Sequence, residues 1–219
     1  LPILDAARQI QGVAVRTPLI ESPALNATVG GRVLMKAETL QCAGAFKFRG
    51  AYNRISRLTE DERQRGVVAF SSGNHAQGVA YACRHFGAKG TIFMPVTTPR
   101  QKIDKTRHFG GDAIEIVLNG DYFDLTLKAA QDYTAQQGAS FLSPFDDARV
   151  IEGQATVALE MLAQMDGPPD LVVLPVGGGG LAAGITSLLA ERAPAAEFAF
   201  VEPMGGTSLH AALVAGEPV

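Results

Sequence analysis

The chain has 219 residues, 47% of them hydrophobic and 19% charged, which is enough to bury a core and fits one large or two small domains. Its 19 Lys and Arg against 22 Asp and Glu leave a formal net charge of −3, and no basic stripe is interleaved with aromatics, which argues against a nucleic-acid partner. No apolar run approaches the ~18 residues that cross a bilayer, and Leu1-Pro2-Ile3-Leu4-Asp5 lacks the charged region and cleavage site of an export signal, so no membrane partner is expected.

Patterning along the chain alternates between periods of 2 and 3.6. It predicts a strand at 32–36, a helix at 48–57, a strand at 66–70, a helix at 76–86, a strand at 90–94 and a helix at 99–109. A strand at 113–117, helices at 122–137 and 152–164, a strand at 171–176, a helix at 181–192 and a strand at 198–202 follow. Nearly continuous apolar strands between helices are those of an α/β fold with a mostly parallel sheet covered on both faces. Prolines 95, 99, 144, 168 and 169 punctuate the connections, and no linker composition separates domains. The two cysteines, Cys42 and Cys83, fall outside CxxC and metal-ligand spacings, so a reducing cytoplasm is the expected compartment.

Three segments carry chemistry. Gly177-Gly178-Gly179-Gly180 stands between the strand ending at Val176 and the helix beginning at Leu181. Each glycine costs folding roughly 0.5–1 kcal/mol relative to alanine, so four in a row imply close approach of main-chain N–H groups to an anion at a helix start. The alternative is a plain tight turn. Ser71-Ser72-Gly73-Asn74-His75 lies at another strand-to-helix junction, where main-chain N–H groups can hold a carboxylate while Ser72 and Asn74 offer a hydroxyl and an amide. Taken alone, this is also an ordinary Ser/Asn helix cap, and His75 a packing residue. Lys47 lies between Phe46 and Phe48 as a helix begins; an ammonium in apolar surroundings loses pKa and becomes a usable amine, unless it snorkels to solvent. A nucleophilic lysine, an anion cradle and a carboxylate loop on one α/β frame ask for an aldehyde bearing a phosphate, which is pyridoxal phosphate.

At these residues the chain resembles the tryptophan-synthase-β-like (fold type II) pyridoxal phosphate enzymes, specifically the serine/threonine dehydratases. The segments are Lys36-Ala37-Glu38 to Phe46-Lys47-Phe48-Arg49-Gly50-Ala51, Ser71 to Ala80, and Pro175-Val176-Gly177-Gly178-Gly179-Gly180-Leu181, in the family's order. Met94 to Lys102, Pro144-Phe145-Asp146-Asp147 and Gly153-Gln154 are most similar to the threonine dehydratases of isoleucine biosynthesis. The resemblance implies a two-domain fold with the cofactor in the cleft: a large unit of residues 1–51 and 146–219, incomplete at its C-terminal end, and a small unit of residues 52–145. It implies dehydration and deamination of L-threonine to 2-oxobutanoate and ammonia by a homo-oligomer, dimer or tetramer. Lys47 becomes the Schiff-base lysine, with Phe46 packing on the cofactor, Asn74 touching its ring hydroxyl, and Gly177, Gly178, Gly179, Gly180 and Leu181 binding its phosphate. Ser71, Ser72, Gly73, Asn74 and His75 receive the substrate carboxylate, Ser72 doubles as an acid/base opposite the lysine, and Phe145 lines the side-chain pocket. Glu202 matches an acid that in some relatives helps hold a monovalent or divalent cation. Ala43 and Ala45 depart from the family's usual Ser or Thr.

Other readings stay open at this point. A sister activity on serine, hydroxyaspartate or another β-hydroxy amino acid, by elimination or racemisation, fits the same motifs. Gly177 to Ala182 also fits a dinucleotide-binding GxGxxA with Glu202 as the ribose acid, although that leaves Lys47 and the Ser71 to His75 loop unexplained. A cofactor-free fragment or scaffold is the third.

Overall fold

The computed structural model describes residues 2–217; Leu1, Pro218 and Val219, at the outer bounds of the expected large unit, lie outside them. The chain opens with helix α1 (Pro2–Ile10), then strand β1 (Leu19–Glu21), helix α2 (Pro23–Val29) and strand β2 (Leu34–Lys36). Ser22 caps α2 from the N-terminal side, Pro23 starts it and Gly30 ends it at φ +69°, so local chemistry delimits this short helix at both ends. Helices α3 (Lys47–Ser56) and α4 (Glu60–Arg65) lead into strand β3 (Val67–Phe70), helix α5 (Asn74–Phe86), strand β4 (Gly90–Met94) and helix α6 (Arg100–Gly110). Strand β5 (Ile114–Leu118), helix α7 (Phe123–Gln137), strand β6 (Ser140–Leu142) and helix α8 (Ala148–Gln164) follow. Strand β7 (Leu171–Pro175), helix α9 (Gly180–Arg192), strand β8 (Glu197–Val201) and helix α10 (Ser208–Ala215) complete the described fold.

Strands β5-β4-β3-β6 form one sheet in which every neighbouring pair is parallel, with Val67 opposite Gly90 and Ser140. The central strand β3 is buried along its whole length, as its run Val-Val-Ala-Phe requires. Strands β1 and β2 pair antiparallel, and β7 and β8 pair parallel. Strand β3 is covered on both faces, whereas at β7 Leu171, Val173 and Pro175 are exposed and Val172 and Leu174 buried. A cavity of about 800 Å3, lined by Leu34, Met35, Met161, Leu171 and Leu181 among others, opens between β2 and β7.

One core packs Phe48, Ile55, Val79, Ile92, Met94 and Leu142; a second packs Val157, Leu174, Ile185, Leu188 and Leu189. Glycines let the helices joining them approach closely. A Cβ on Gly153 of α8 would stand 2.6 Å from both the Arg49 carbonyl oxygen and the Gly50 Cα of α3, and one on Gly184 of α9 2.7 Å from the Ile151 carbonyl oxygen. Both obstacles are main chain and cannot turn aside. Gly153→Ala is therefore expected to lose about 1–3 kcal/mol in a urea titration, while Gly167→Ala, which meets nothing within 4 Å, stays near neutral. Equal losses would refute close helix approach as the cause.

Candidate active site

The turn before α3 is fixed by Gln41, whose side-chain oxygen accepts from the Val15 and Cys42 N–H groups at 2.8 and 2.9 Å and whose amide donates to the Val15 carbonyl at 2.8 Å. Ala43 at φ +62° and Gly44 at φ +77° then turn the chain through left-handed backbone, an uncommon conformation for alanine. Helix α3 begins at Lys47 itself. The two phenylalanines do not sandwich the lysine: Phe46 packs against the second core, whereas Phe48 is fully buried in the first. The lysine is half-buried between them, with Nζ donating to the Pro144 carbonyl at 2.6 Å and lying 5.4 Å from the Phe46 ring centroid. Burial lowers its pKa from 10.5 to about 8.

At the second junction the Ser71 N–H continues the sheet by donating to the Phe93 carbonyl at 3.1 Å, and the Gly73 N–H donates to Ser71 Oγ at 3.1 Å. Helix α5 starts at Asn74 without a side-chain cap; Ser72 and Asn74 are exposed. His75 turns inward. Its Nε2 meets the Leu142 carbonyl at 3.2 Å, a geometry that assigns the proton to Nε2, while the buried Nδ1 has no partner. Only the main chain of His75 therefore faces the loop. Burial, assisted by the Lys47 charge, lowers the His75 pKa from 6.5 to about 3.

This depression has a consequence for acid stability. Between pH 6.5 and about 3 the unfolded chain protonates this histidine and the folded chain does not, so stability is full above 6.5 and falls as pH drops through that window. The expected loss is on the order of a few kcal/mol. Urea titrations at stepped pH should show a shallower acid slope for His75→Gln than for the parent; an unchanged slope assigns the acid loss to other groups.

At the third junction the Val176 N–H donates to the Val201 carbonyl at 2.9 Å, Gly179 adopts φ +80°, and α9 starts at Gly180 with no side-chain cap. The loop's N–H groups are thus presented rather than spent on a cap. Phe145 lies across this turn: a Cβ on Gly178 would strike its ring, and one on Gly180 would stand 2.9 Å from its Cα. The segment from Leu142 to Phe145 therefore touches all three junctions, through the Leu142 carbonyl to His75, the Pro144 carbonyl to Lys47 and Phe145 to the glycines. Pro144 was not foreseen as part of this site, because a main-chain acceptor leaves no side-chain signature.

Glu202 falls one residue past β8 rather than inside the predicted strand, and its carboxylate accepts from the N–H groups of Leu209 at 2.7 Å and His210 at 3.0 Å. It caps α10, and these hydrogen bonds keep its pKa below the usual range. Among the described residues no group of three or more His, Cys, Asp and Glu is placed to hold a metal, and no helix is long and apolar enough to cross a membrane.

An amine with lowered pKa and two uncapped helix starts define a site for a cofactor that offers a carbonyl to the lysine and an anion to the main chain. The glycine turn fits such an anion, since Phe145 leaves no room for side chains at Gly178 or Gly180 and the N–H groups remain its donors. The chain belongs to the pyridoxal-phosphate dependent enzyme family, whose profile matches residues 10–219. It is similar to the biosynthetic L-threonine dehydratase IlvA of Mycobacterium leprae, 49% identical over 214 residues that make up 98% of this chain and 50% of that protein. Among solved structures it is similar to the processed form of threonine deaminase isoform 2 from Solanum lycopersicum (TM-score 0.92, 38% identity, 100% of this chain and 63% of that one). Maize serine racemase superposes with TM-score 0.93 at 32% identity, over 100% of this chain and 65% of that one. The expected fold type II α/β architecture is thus borne out, and the dinucleotide-binding alternative falls away. The chain spans about half the length of the curated relatives it matches.

Proposed function

We propose that this chain carries the pyridoxal phosphate site of a lyase that dehydrates and deaminates L-threonine to 2-oxobutanoate and ammonia. The observation that carries the reading is the Lys47 amine, lowered to about 8 and aimed by the Pro144 carbonyl, in a site that also holds two uncapped helix starts. Similarity to proteins named threonine dehydratase and threonine deaminase supports the substrate.

Pyridoxal phosphate, when bound, supplies an electron sink for negative charge at the substrate α-carbon. Lys47 would hold it and would be the proton acceptor for the substrate α-carbon: with a pKa of about 8, roughly a tenth of the amine is unprotonated at pH 7, against fewer than one in a thousand at 10.5. Gly177 to Leu181 would hold the phosphate with main-chain N–H groups, Ser71 to His75 would receive the carboxylate, and Asn74 would serve the ring hydroxyl. Phe145, fixed over the glycines, borders the substrate methyl. The exposed Ser72 hydroxyl stands ready to move a proton on the opposite face, and with the similarity to maize serine racemase this favours racemisation of serine as a second reading.

We assign the small unit to residues 52–145 around the β3 to β6 sheet and the large unit to the flanks, with closure over the substrate expelling water. The reading extends to a cytoplasmic homo-oligomer. A cation beside Glu202 is a separate proposition: K+ or Mg2+ should raise the Tm of the parent and not that of Glu202→Gln. The main test is an absorbance spectrum with pyridoxal phosphate before and after borohydride, followed by L-threonine and an assay for 2-oxobutanoate. A band fixed by borohydride together with ketoacid supports the reading. A band without ketoacid redirects it to L-serine, with product chirality as the measurement, and a colourless protein overturns it.

A further inference from the structure

Two residues beyond Lys47, the guanidinium of Arg49 is fully buried and makes six hydrogen bonds. Its Nε and Nη2 grip both Glu38 oxygens at 2.8 Å, and its Nη1 and Nη2 reach the two Glu160 oxygens at 2.7 and 2.9 Å. Thr156 Oγ1 and the Val15 carbonyl take the remainder at 3.2 and 3.3 Å. Lys36 completes the cluster, its Nζ donating to Glu160 at 2.6 Å, the Thr17 carbonyl at 2.7 Å and Gln164 at 2.9 Å. Two cations and two anions thus tie β2, the turn at Glu38, the first turn of α3 and the buried face of α8 into one knot. Burial works against the Arg49 charge, and the hydrogen bonds that it donates to Glu38 and Glu160 outweigh it, holding the group ionised.

A buried ion cluster is a poor device for stability, because the cost of desolvating four charges offsets most of their attraction and apolar side chains would fill the space as well. What it supplies instead is direction: a planar fork gripping two carboxylates fixes the rotation and height of the helix that bears it. The Lys47 amine itself has one hydrogen bond, to Pro144, so its direction follows the turn that bears it. We propose that Arg49, clasped by Glu38 and Glu160, is a positioning residue for Lys47: it sets the first turn of α3 so that the amine points to where the cofactor carbonyl must lie. This rests on the reading of Lys47 as the reacting amine. The cluster acts through geometry rather than field, because burial alone accounts for the lowered Lys47 pKa.

The experiment is competitive labelling read by peptide mass. Pyridoxal phosphate with borohydride reports the geometry of the site, formaldehyde with cyanoborohydride reports the basicity of the amine, and exposed Lys128 is the internal reference. The variants are Arg49→Lys, which keeps the charge and loses the fork, and Glu38→Gln, which keeps the shape and loses one arm. Thr59→Ala removes a helix cap outside the cluster and controls for stability. In both cluster variants, labelling of Lys47 by pyridoxal phosphate should fall by about ten- to a hundredfold relative to Lys128. The formaldehyde profile should keep its midpoint near 8, and Thr59→Ala should label like the parent. Parent-like labelling of Lys47 in the folded cluster variants overturns the positioning role, as does an equal loss in Thr59→Ala. A shifted formaldehyde midpoint replaces geometry with charge and also overturns it. If the parent labels Lys47 no faster than Lys128, it is the reading of Lys47 itself that fails.

Discussion

Lys47→Ala is expected to leave a folded protein that borohydride no longer fixes to pyridoxal phosphate and whose threonine turnover, on the function proposed above, falls by at least about 10³-fold. Folding should survive because the amine is bonded to a main-chain carbonyl rather than to a carboxylate, so its removal strands no buried counter-charge. Removing an ammonium held in a site that disfavours its charge relieves a cost that the parent carries. The uncapped starts of α5 and α9 are untouched, so the variant should still bind the cofactor reversibly, as a shift in its spectrum on titration. Added methylamine should restore part of the turnover by supplying the missing proton acceptor. Turnover at the parent rate without added amine would remove Lys47 from the reaction.

Gly180→Ala is the second change expected to have a large effect, and it acts at two places at once. A Cβ there would stand 2.9 Å from the Phe145 Cα and 3.0 Å from its carbonyl oxygen, so the main chain of that segment must move. The next residue back is Pro144, whose carbonyl aims the Lys47 amine. One methyl group therefore disturbs the anion-binding turn and the lysine together, and affinity for pyridoxal phosphate should fall by about 10²-fold or more. Neighbouring glycines sort the causes. Gly179→Ala meets nothing within 4 Å but must hold φ +80°, which costs about 1–2 kcal/mol of stability. Gly177→Ala meets nothing and has no such φ, so its folding should be close to neutral. Cofactor titrations of the three side by side check the order, and an equal affinity for Gly177→Ala and Gly180→Ala would refute contact with Phe145 as the cause.

The alternation of apolar strands with helices was legible because each long element repeats its own period. Among the short elements, β2 was legible and several others were not. Helix α4 is Glu-Asp-Glu-Arg-Gln-Arg and has no apolar stripe; its capping box of Thr59 and Glu62 is its only signal. Strand β6 has three residues, too few to show alternation. Helices α3, α5 and α9 start one or two residues earlier than their apolar patterns suggest, which places Lys47, Asn74 and Gly180 inside first turns. Within the proposed site, residues with side-chain chemistry leave a signal in the sequence, whereas the partners that position them do not. Glu38 and Glu160 lie 11 and 111 residues from Arg49, and only the fold brings them together. At Glu202 the sequence shows a carboxylate at a strand end, and the N–H groups of Leu209 and His210 that it accepts from have no signature there, because only the fold brings a helix seven residues on up to it.

Phe46 and Phe48 are anchored in different cores with the lysine between them. The amine is thus a shared hinge pin of two separately packed bodies, and it keeps its place only while both are intact. Heating should therefore inactivate the protein at the melting of whichever core yields first, even if the other persists. Where the two cores melt apart, inactivation follows the weaker one, and stabilising the stronger leaves the working range unchanged.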